Sequence, residues 1–318
     1  MKTWKADLAL AAVTIIWGST FVVVKNALAS VSPVLFLAMR FTLAAVVLIA
    51  IHAAIYRSRF DRRSVLAGIA AGFLLFAGYF FQTVGLRLTT PSKSAFFTGL
   101  SIPMVPLVAA LVYRKVPYLL EIVGVLFASV GMALMALEGE ALKPGRGVFD
   151  SMFSDNMFRG DLLSFLCAIA FAIHIVLIGH YTGMFGFETI AVTQISTAAV
   201  LSLGSFWWME AAVLHWNSGV LAAVLITGLL ATALALSVQA WAQQFTTATR
   251  AALIFALEPL VAWLTSWWFA GEVLSRRGEI GAFCILSGIL LVEVKRFNPL
   301  KHQSSSAATS DSTAARGV

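Results

Sequence analysis

Apolar residues along this 318-residue chain neither alternate nor keep to one helical face. They run almost unbroken for about twenty positions, stop at a short polar cluster and start again. A helix rising 1.5 Å per residue needs a run of that length to cross about 30 Å of hydrocarbon. Windows of about nineteen residues place such runs at 8–28, 34–56, 65–86, 93–113 and 119–137, and again at 162–181, 188–208, 219–241, 248–270 and 277–295. The pattern predicts an all-α integral membrane protein with ten transmembrane helices. The first run follows Lys2 and Lys5 but is too long for the core of a secretory signal and lacks a small-residue cleavage site, so it reads as a helix of the mature chain.

The spacing of the runs divides the chain. Most connections are short, as between neighbouring helices, but residues 138–160 are mixed in charge and carry Pro144, Gly145 and Gly147. The predicted organisation is a first five-helix unit over 1–137, an extracytoplasmic linker over 138–160, a second five-helix unit over 161–297, and a disordered cytoplasmic tail over 298–318, rich in Ser, Thr and Ala.

The two units resemble each other. With a shift of 154, Asp7 and Leu8 fall on Asp161 and Leu162, Ala44 and Ala45 on Ala198 and Ala199, and Arg40 on Gln194. With a shift of 157, Gln82, Thr89, Thr90, Lys93 and Ala95 fall on Gln239, Thr246, Thr247, Arg250 and Ala252, and Gly124 and Gly131 on Gly281 and Gly288. One short indel reconciles the shifts. Five spans is an odd number, so the second copy must enter the membrane from the opposite side, which predicts two inverted five-helix repeats. Secondary transporters use such repeats because the copies can exchange conformations and expose a midplane site alternately to each side.

Composition narrows the classes. Hydrophobic residues make up 60% of the chain and charged ones 12%, against about 45–50% and about 25% in a soluble domain. The net charge of +7 does not indicate nucleic acid, because the cations sit at segment ends, where headgroups lie. With a cytoplasmic N-terminus, thirteen Lys and Arg fall on inner segments and eight on outer ones, with Arg40 left inside a helix. That bias predicts both termini in the cytoplasm of a bacterial inner (plasma) membrane. The two cysteines, Cys167 and Cys284, lie in apolar runs and read as packing residues.

Several strings resemble the EamA branch of the drug/metabolite transporter superfamily. They are Trp17-Gly18 with Lys25 in the first span, Arg40-Phe41 before Leu43-Ala44 in the second, and Leu257-Glu258-Pro259-Leu260 before Gly271-Glu272 in the ninth. The likeness covers roughly 7–296 and departs at Lys115-Val116, where the second half has Glu272. It implies ten helices and the export or exchange of small metabolites, often amino acids or their relatives.

Polar residues within the apolar runs are the candidate site. Glu258 lies near mid-bilayer, where an ionised carboxylate costs a few kcal/mol unless compensated; it is a contact for a substrate amine, a proton carrier, or a structural carboxyl beside the Pro259 kink. His174 shares a helical face with Ser164, Cys167 and Phe171 and is either a binding group or a hydrogen-bonded packing residue. Arg40 is a possible anion contact, with snorkelling toward headgroups as the simplest alternative, and Lys25 and Lys93 carry the same ambiguity. Gln82 and Gln239 suit a zwitterion or serve as interhelical glue, with Tyr79 and Trp241 beside them. Trp17, Phe96, Phe171 and Trp263 are candidates for an aromatic chamber, and the pairs Trp207-Trp208 and Trp267-Trp268 for interfacial anchors. Gly68 and Gly72 have the spacing of close helix contact.

No HExxH or Gly-x-Ser-Gly string, Walker motif or cluster of histidines occurs, so neither an enzyme, a nucleotide-driven pump, a cofactor nor a metal site is expected. Thr83-Val84-Gly85-Leu86 lacks the rest of a potassium filter. The reading is a secondary transporter that exports or exchanges a small-molecule solute such as an amino acid, with protons as a candidate coupling ion. The alternatives are multidrug or cationic efflux and a non-transporting receptor or scaffold.

Overall fold

The computed structural model describes residues 3–56, 60–89, 91–114, 118–136, 155–270 and 276–294. The tail over 298–318, most of the linker over 138–160, Lys115-Val116 and Gly271-Glu272 lie outside the described residues, as do the side chains of Lys93, Phe96 and Asp161.

Among the described residues the chain is all-helical. Its elements are α1 (Thr3–Ala27), α2 (Pro33–Ile51), α3 (Arg62–Leu88), α4 (Pro91–Gly99), α5 (Ser101–Tyr113), α6 (Leu119–Ala136), α7 (Asp155–Thr182), α8 (Phe187–Met209), α9 (Ser218–Leu225), α10 (Ala235–Ala242), α11 (Ala248–Phe255), α12 (Glu258–Ala270) and α13 (Arg276–Val294). Among the described residues seven stretches are long and apolar enough to cross a membrane, and the shorter apolar helices Phe97–Tyr113 and Leu119–Gly131 accompany them. This is a multi-pass membrane protein.

The outside of the bundle is oily and the inside is hydroxylated, the reverse of a soluble protein. Leu107, Leu111, Trp268 and Phe283 are each more than 70% exposed, a surface that only lipid tolerates. Thr14, Ser164, Gln194, Thr227 and Thr232 are fully buried. Most of the hydroxyls satisfy themselves on their own helix, as Thr14 does on the Leu10 carbonyl at 2.8 Å and Ser202 on that of Ala198 at 2.7 Å.

Four predicted spans are not continuous α-helices; the run 34–56 passes from α2 into a π-helical turn, His52–Tyr56. The run 93–113 breaks at Leu100, between α4 and α5, and the run 248–270 breaks at Ala256-Leu257, between α11 and α12. Prolines account for both: Pro103 and Pro259 sit in the first turn of the helix after each break, where a missing N–H is harmless and the ring blocks continuation backwards. The run 219–241 widens into a π-helical stretch, Ile226–Leu234, between α9 and α10.

α6 packs on α13, α3 on α7 and α8, α2 on α8 and on the π-helical stretch, and α1 on α10 and α12. Gly72 allows the α3–α8 contact: a Cβ there would stand 2.5 Å from the Thr197 Cβ and 2.6 Å from the Gln194 carbonyl oxygen. Contacts also fix which ends lie together. The segment after α1 pairs with the segment after α8 through Ser32 N to Val213 O at 3.0 Å and His215 N to Ser30 O at 2.7 Å, and Glu210 Oε1 accepts from Leu35 N at 2.8 Å. At the other end of α1, Asp7 pairs with Arg250 at the start of α11, 3.1 Å apart. The start of α3 lies at the end of α2 remote from residues 210–217. There Asp61 caps it, accepting from Arg63 N and Ser64 N at 3.1 and 3.3 Å, a bond pair of a kind that stabilises a helix by about 1 kcal/mol.

Candidate functional site

One cavity of about 900 Å³, its open mouth included, lies at the centre of the bundle. α1 presents Trp17, Thr20, Phe21 and Val24 to it, three or four residues apart and so on one face. α3 contributes Leu75, Tyr79, Gln82, Thr83 and Leu86 by the same periodicity. The two broken helices meet it at their breaks, with Thr98, Gly99, Ser101 and Ile102 on one side and Phe255, Glu258 and Pro259 on the other. Arg40 from α2, Phe171, His174 and Ile175 from α7, and Leu236 and Gln239 from α10 complete it.

The structure thus gathers Trp17, Arg40, Tyr79, Gln82, Phe171, His174, Gln239 and Glu258 around one space. Phe96 is a helical residue of α4 whose side chain is outside the description. Trp263 and Trp241 are not among the described lining residues; Trp241 instead packs with Phe245, ring centroids 5.6 Å apart, against the cluster of Ala6, Leu10 and Ala242.

Arg40 corrects one expectation. It does not snorkel: it is only 3% exposed. Its Nε and Nη2 donate to Thr232 Oγ1 at 3.1 and 2.8 Å, and its guanidinium carbon stands 4.6 Å from the Tyr79 ring centroid, a cation–π distance. Tyr79 is held in turn by edge contacts with Phe41 and Phe171, at 5.4 and 5.3 Å. Among the described residues no carboxylate pairs with Arg40.

Glu258 begins α12, where helix N-terminal N–H groups favour negative charge. It is partly open to the cavity. Gly18 lets α1 come this close: a Cβ there would meet the Glu258 carbonyl oxygen at 2.9 Å and the Val261 Cβ at 2.7 Å. Trp17, beside it, donates its indole N–H to the Ala231 carbonyl at 2.9 Å and lies against Phe255, ring centroids 5.3 Å apart.

His174 is 2% exposed, and its Nε2 stands 2.8 Å from Gln194 Oε1. With an amide oxygen as partner, that ring nitrogen is the donor. Gln82 Nε2 points to Thr98 Oγ1 at 3.5 Å, too long to hold the amide firmly. Lys25 lies outside the cavity lining and donates to the carbonyls of Leu86 and Thr89 at 2.7 and 2.9 Å, closing the C-terminal end of α3.

One end of the cavity is sealed. Ala6, Leu10, Val105, Ala109, Val176, Ala248 and Ala251 pack together there. Gln243 and Gln244 donate to the carbonyls of Ile175 and Thr182, both at 2.9 Å, and the Asp7–Arg250 pair lies at the same end.

Sequence reasoning passed over Thr20, Thr98 and Ser101, because buried hydroxyls are common in such helices. The repeat shifts carried the signal: Thr20 occupies the position of His174, and Ser101 that of Glu258. Among the described residues, no three His, Cys, Asp or Glu side chains converge as a metal site would require.

Comparison with known proteins adds the family. The sequence profile of the EamA-like transporter family matches residues 4–137 and again 158–294. A protein of Archaeoglobus fulgidus described as an uncharacterized transporter is 33% identical over 295 residues, spanning 93% of this chain and 88% of that protein. A solved crystal structure superposes with a TM-score of 0.73 at 21% identity, covering 91% of this chain and 96% of the other, which is a likeness of fold. With both halves matched, this chain belongs to the EamA-like transporter family and is a membrane transporter.

Proposed function

We propose that this transporter carries a small zwitterionic, partly apolar solute such as an amino acid out of the cell by alternating access. The observation that carries the reading is charge: Arg40 and Glu258 line the same cavity without pairing with each other. A buried charge left without a partner is costly, and a zwitterion would offset both at once, its carboxylate toward Arg40 and its ammonium toward Glu258. Gln82 and Gln239 orient polar groups, His174 holds or passes a proton, and Trp17, Tyr79 and Phe171 enclose the apolar part. Arg40 in the wall disfavours a purely cationic cargo.

The alternation rests on ten spans in two inverted repeats over 1–137 and 161–297. Two features support it. The glycines that fall on one another in the repeat meet reciprocally: a Cβ on Gly131 would stand 2.5 Å from the Gly281 carbonyl oxygen, and one on Gly288 would stand 2.5 Å from that of Gly124. The corresponding connections α2–α3 and α8–α9 lie at opposite ends of α2. With the termini in the cytoplasm of a bacterial inner membrane, the sealed end is cytoplasmic and the cavity faces outward. Energy comes from proton exchange or the solute's own gradient.

The test is uptake by inside-out vesicles of amino acids, nucleosides, sugars and cationic dyes, with and without a pH gradient. The expected result is uptake of amino acids that bear an apolar side chain. Glu258→Gln should lower that uptake or abolish its pH dependence while leaving insertion intact; unaltered flux at every pH would remove Glu258 from the site.

A further inference from the structure

We infer that Thr232, on the π-helical stretch Ile226–Leu234, is the positioning residue that aims the Arg40 guanidinium into the cavity. This rests on the proposed carriage of a carboxylate-bearing solute and assigns the group that makes the site selective for that carboxylate.

Thr232 Oγ1 donates its only proton to the Thr227 carbonyl, five residues back, at 2.7 Å. On the regular α-helices Thr14 and Thr182 reach four residues back, at 2.8 and 2.7 Å, as Thr227 itself does to Ala223 at 2.7 Å. The wider π turn therefore sets where this hydroxyl points. With its proton spent, Oγ1 has only lone pairs to offer, and both Arg40 Nε and Nη2 donate to it. The bond has one polarity and cannot invert.

Thr232 fixes one edge of the guanidinium and Tyr79 covers its face, while part of Arg40 remains cavity wall. The anchor is neutral. An aspartate at 232 would hold the side chain equally well but cancel the charge; a hydroxyl orients the group and leaves that charge available to a ligand. The same stretch is pressed onto α2 at Gly228, where a Cβ would stand 3.2 Å from the Arg40 carbonyl oxygen, and it also takes the Trp17 indole N–H on the Ala231 carbonyl. One irregular segment thus sets both a charged and an aromatic wall. The device belongs to a single repeat: Leu75 occupies the position of Thr232 and Gln194 that of Arg40.

The test compares Thr232→Val and Thr232→Ser with the unaltered protein in vesicles, using L-phenylalanine and L-phenylalaninamide, which differ only at the carboxylate. Thr232→Val should raise KM for phenylalanine about tenfold, the worth of one hydrogen bond to a charged group. It should leave the amide within about twofold, and Thr232→Ser should restore the original values. Equal changes for both probes, or none, would overturn the inference. A second measurement needs no transport: the Arg40 Nε–H resonance, assigned through Arg40→Lys, should exchange slowly with water in the unaltered and Ser proteins and rapidly in Val. Unchanged exchange in Thr232→Val overturns the positioning role. If the unaltered protein moves neither probe nor any other amino acid, the proposed function fails and the exchange measurement alone decides the inference.

Discussion

The contact between α6 and α13 offers the sharpest test of the packing. Neither helix can bear a side chain at Gly131 or Gly288. A Cβ at Gly131 would lie 2.5 Å from the Gly281 carbonyl oxygen, 2.8 Å from Ile285 Cγ1 and 2.9 Å from the Ile285 backbone nitrogen, where ordinary contact begins at 3.4 Å. The shortfall of about 0.9 Å is against backbone, which cannot rotate away, so the helices must part by a comparable distance. A gap of 0.5–1 Å forfeits roughly a quarter to a half of the dispersion energy of each facing atom pair. Between apolar helices in lipid, where no hydrophobic term drives association, packing is the main attraction. Gly131→Ala should therefore cost about 1–3 kcal/mol, the range for overpacking a tight core. Gly288→Ala, with its Cβ 2.5 Å from the Gly124 carbonyl oxygen, should cost a similar amount. Because either change parts the same two helices, the double variant should lose clearly less than the sum. The assay is reversible unfolding of purified protein in mixed micelles, titrated with a denaturing detergent. Two losses that add fully, or single variants as stable as the original, would refute a contact built on carbonyl-to-glycine approach.

Two further expectations concern the sealed end and the topology. Breaking the Asp7–Arg250 pair with Asp7→Asn should speed alkylation, from the membrane face on which that pair lies, of a cysteine placed in the cavity at Thr20. The exchanged pair, Asp7→Arg with Arg250→Asp, should slow it again; equal rates in all three would show that the pair does not hold the seal. Cysteines introduced at Phe60 and Trp216 should be labelled from opposite faces of the membrane, and labelling from one face would end the inverted-repeat reading.

How much was legible from the sequence differs by residue. Spans were readable because a bilayer demands unbroken apolar length, and the first helix, expected at 8–28, forms Thr3–Ala27. Glu258, Gln82 and His174 stood out because polar groups are scarce in apolar runs, and all three line the cavity. Arg40 was misjudged, since depth along a helix does not tell whether a long cation reaches headgroups or folds inward onto Tyr79 and Thr232. Trp241 was misjudged for a related reason: standing two positions from Gln239 puts it about 200° round the helix, on the opposite face.

By itself, then, the sequence determined the solvent and the repeat, because length, hydropathy and self-similarity are local properties that lipid and gene duplication impose on the chain directly. Tertiary structure alone decided that charges from α2 and α12 share one cavity, that a π-helical stretch aims Arg40, and which end is sealed. These depend on helix rotation and on packing that brings together residues up to 218 positions apart, such as Arg40 and Glu258 on one cavity wall, and no local pattern encodes them.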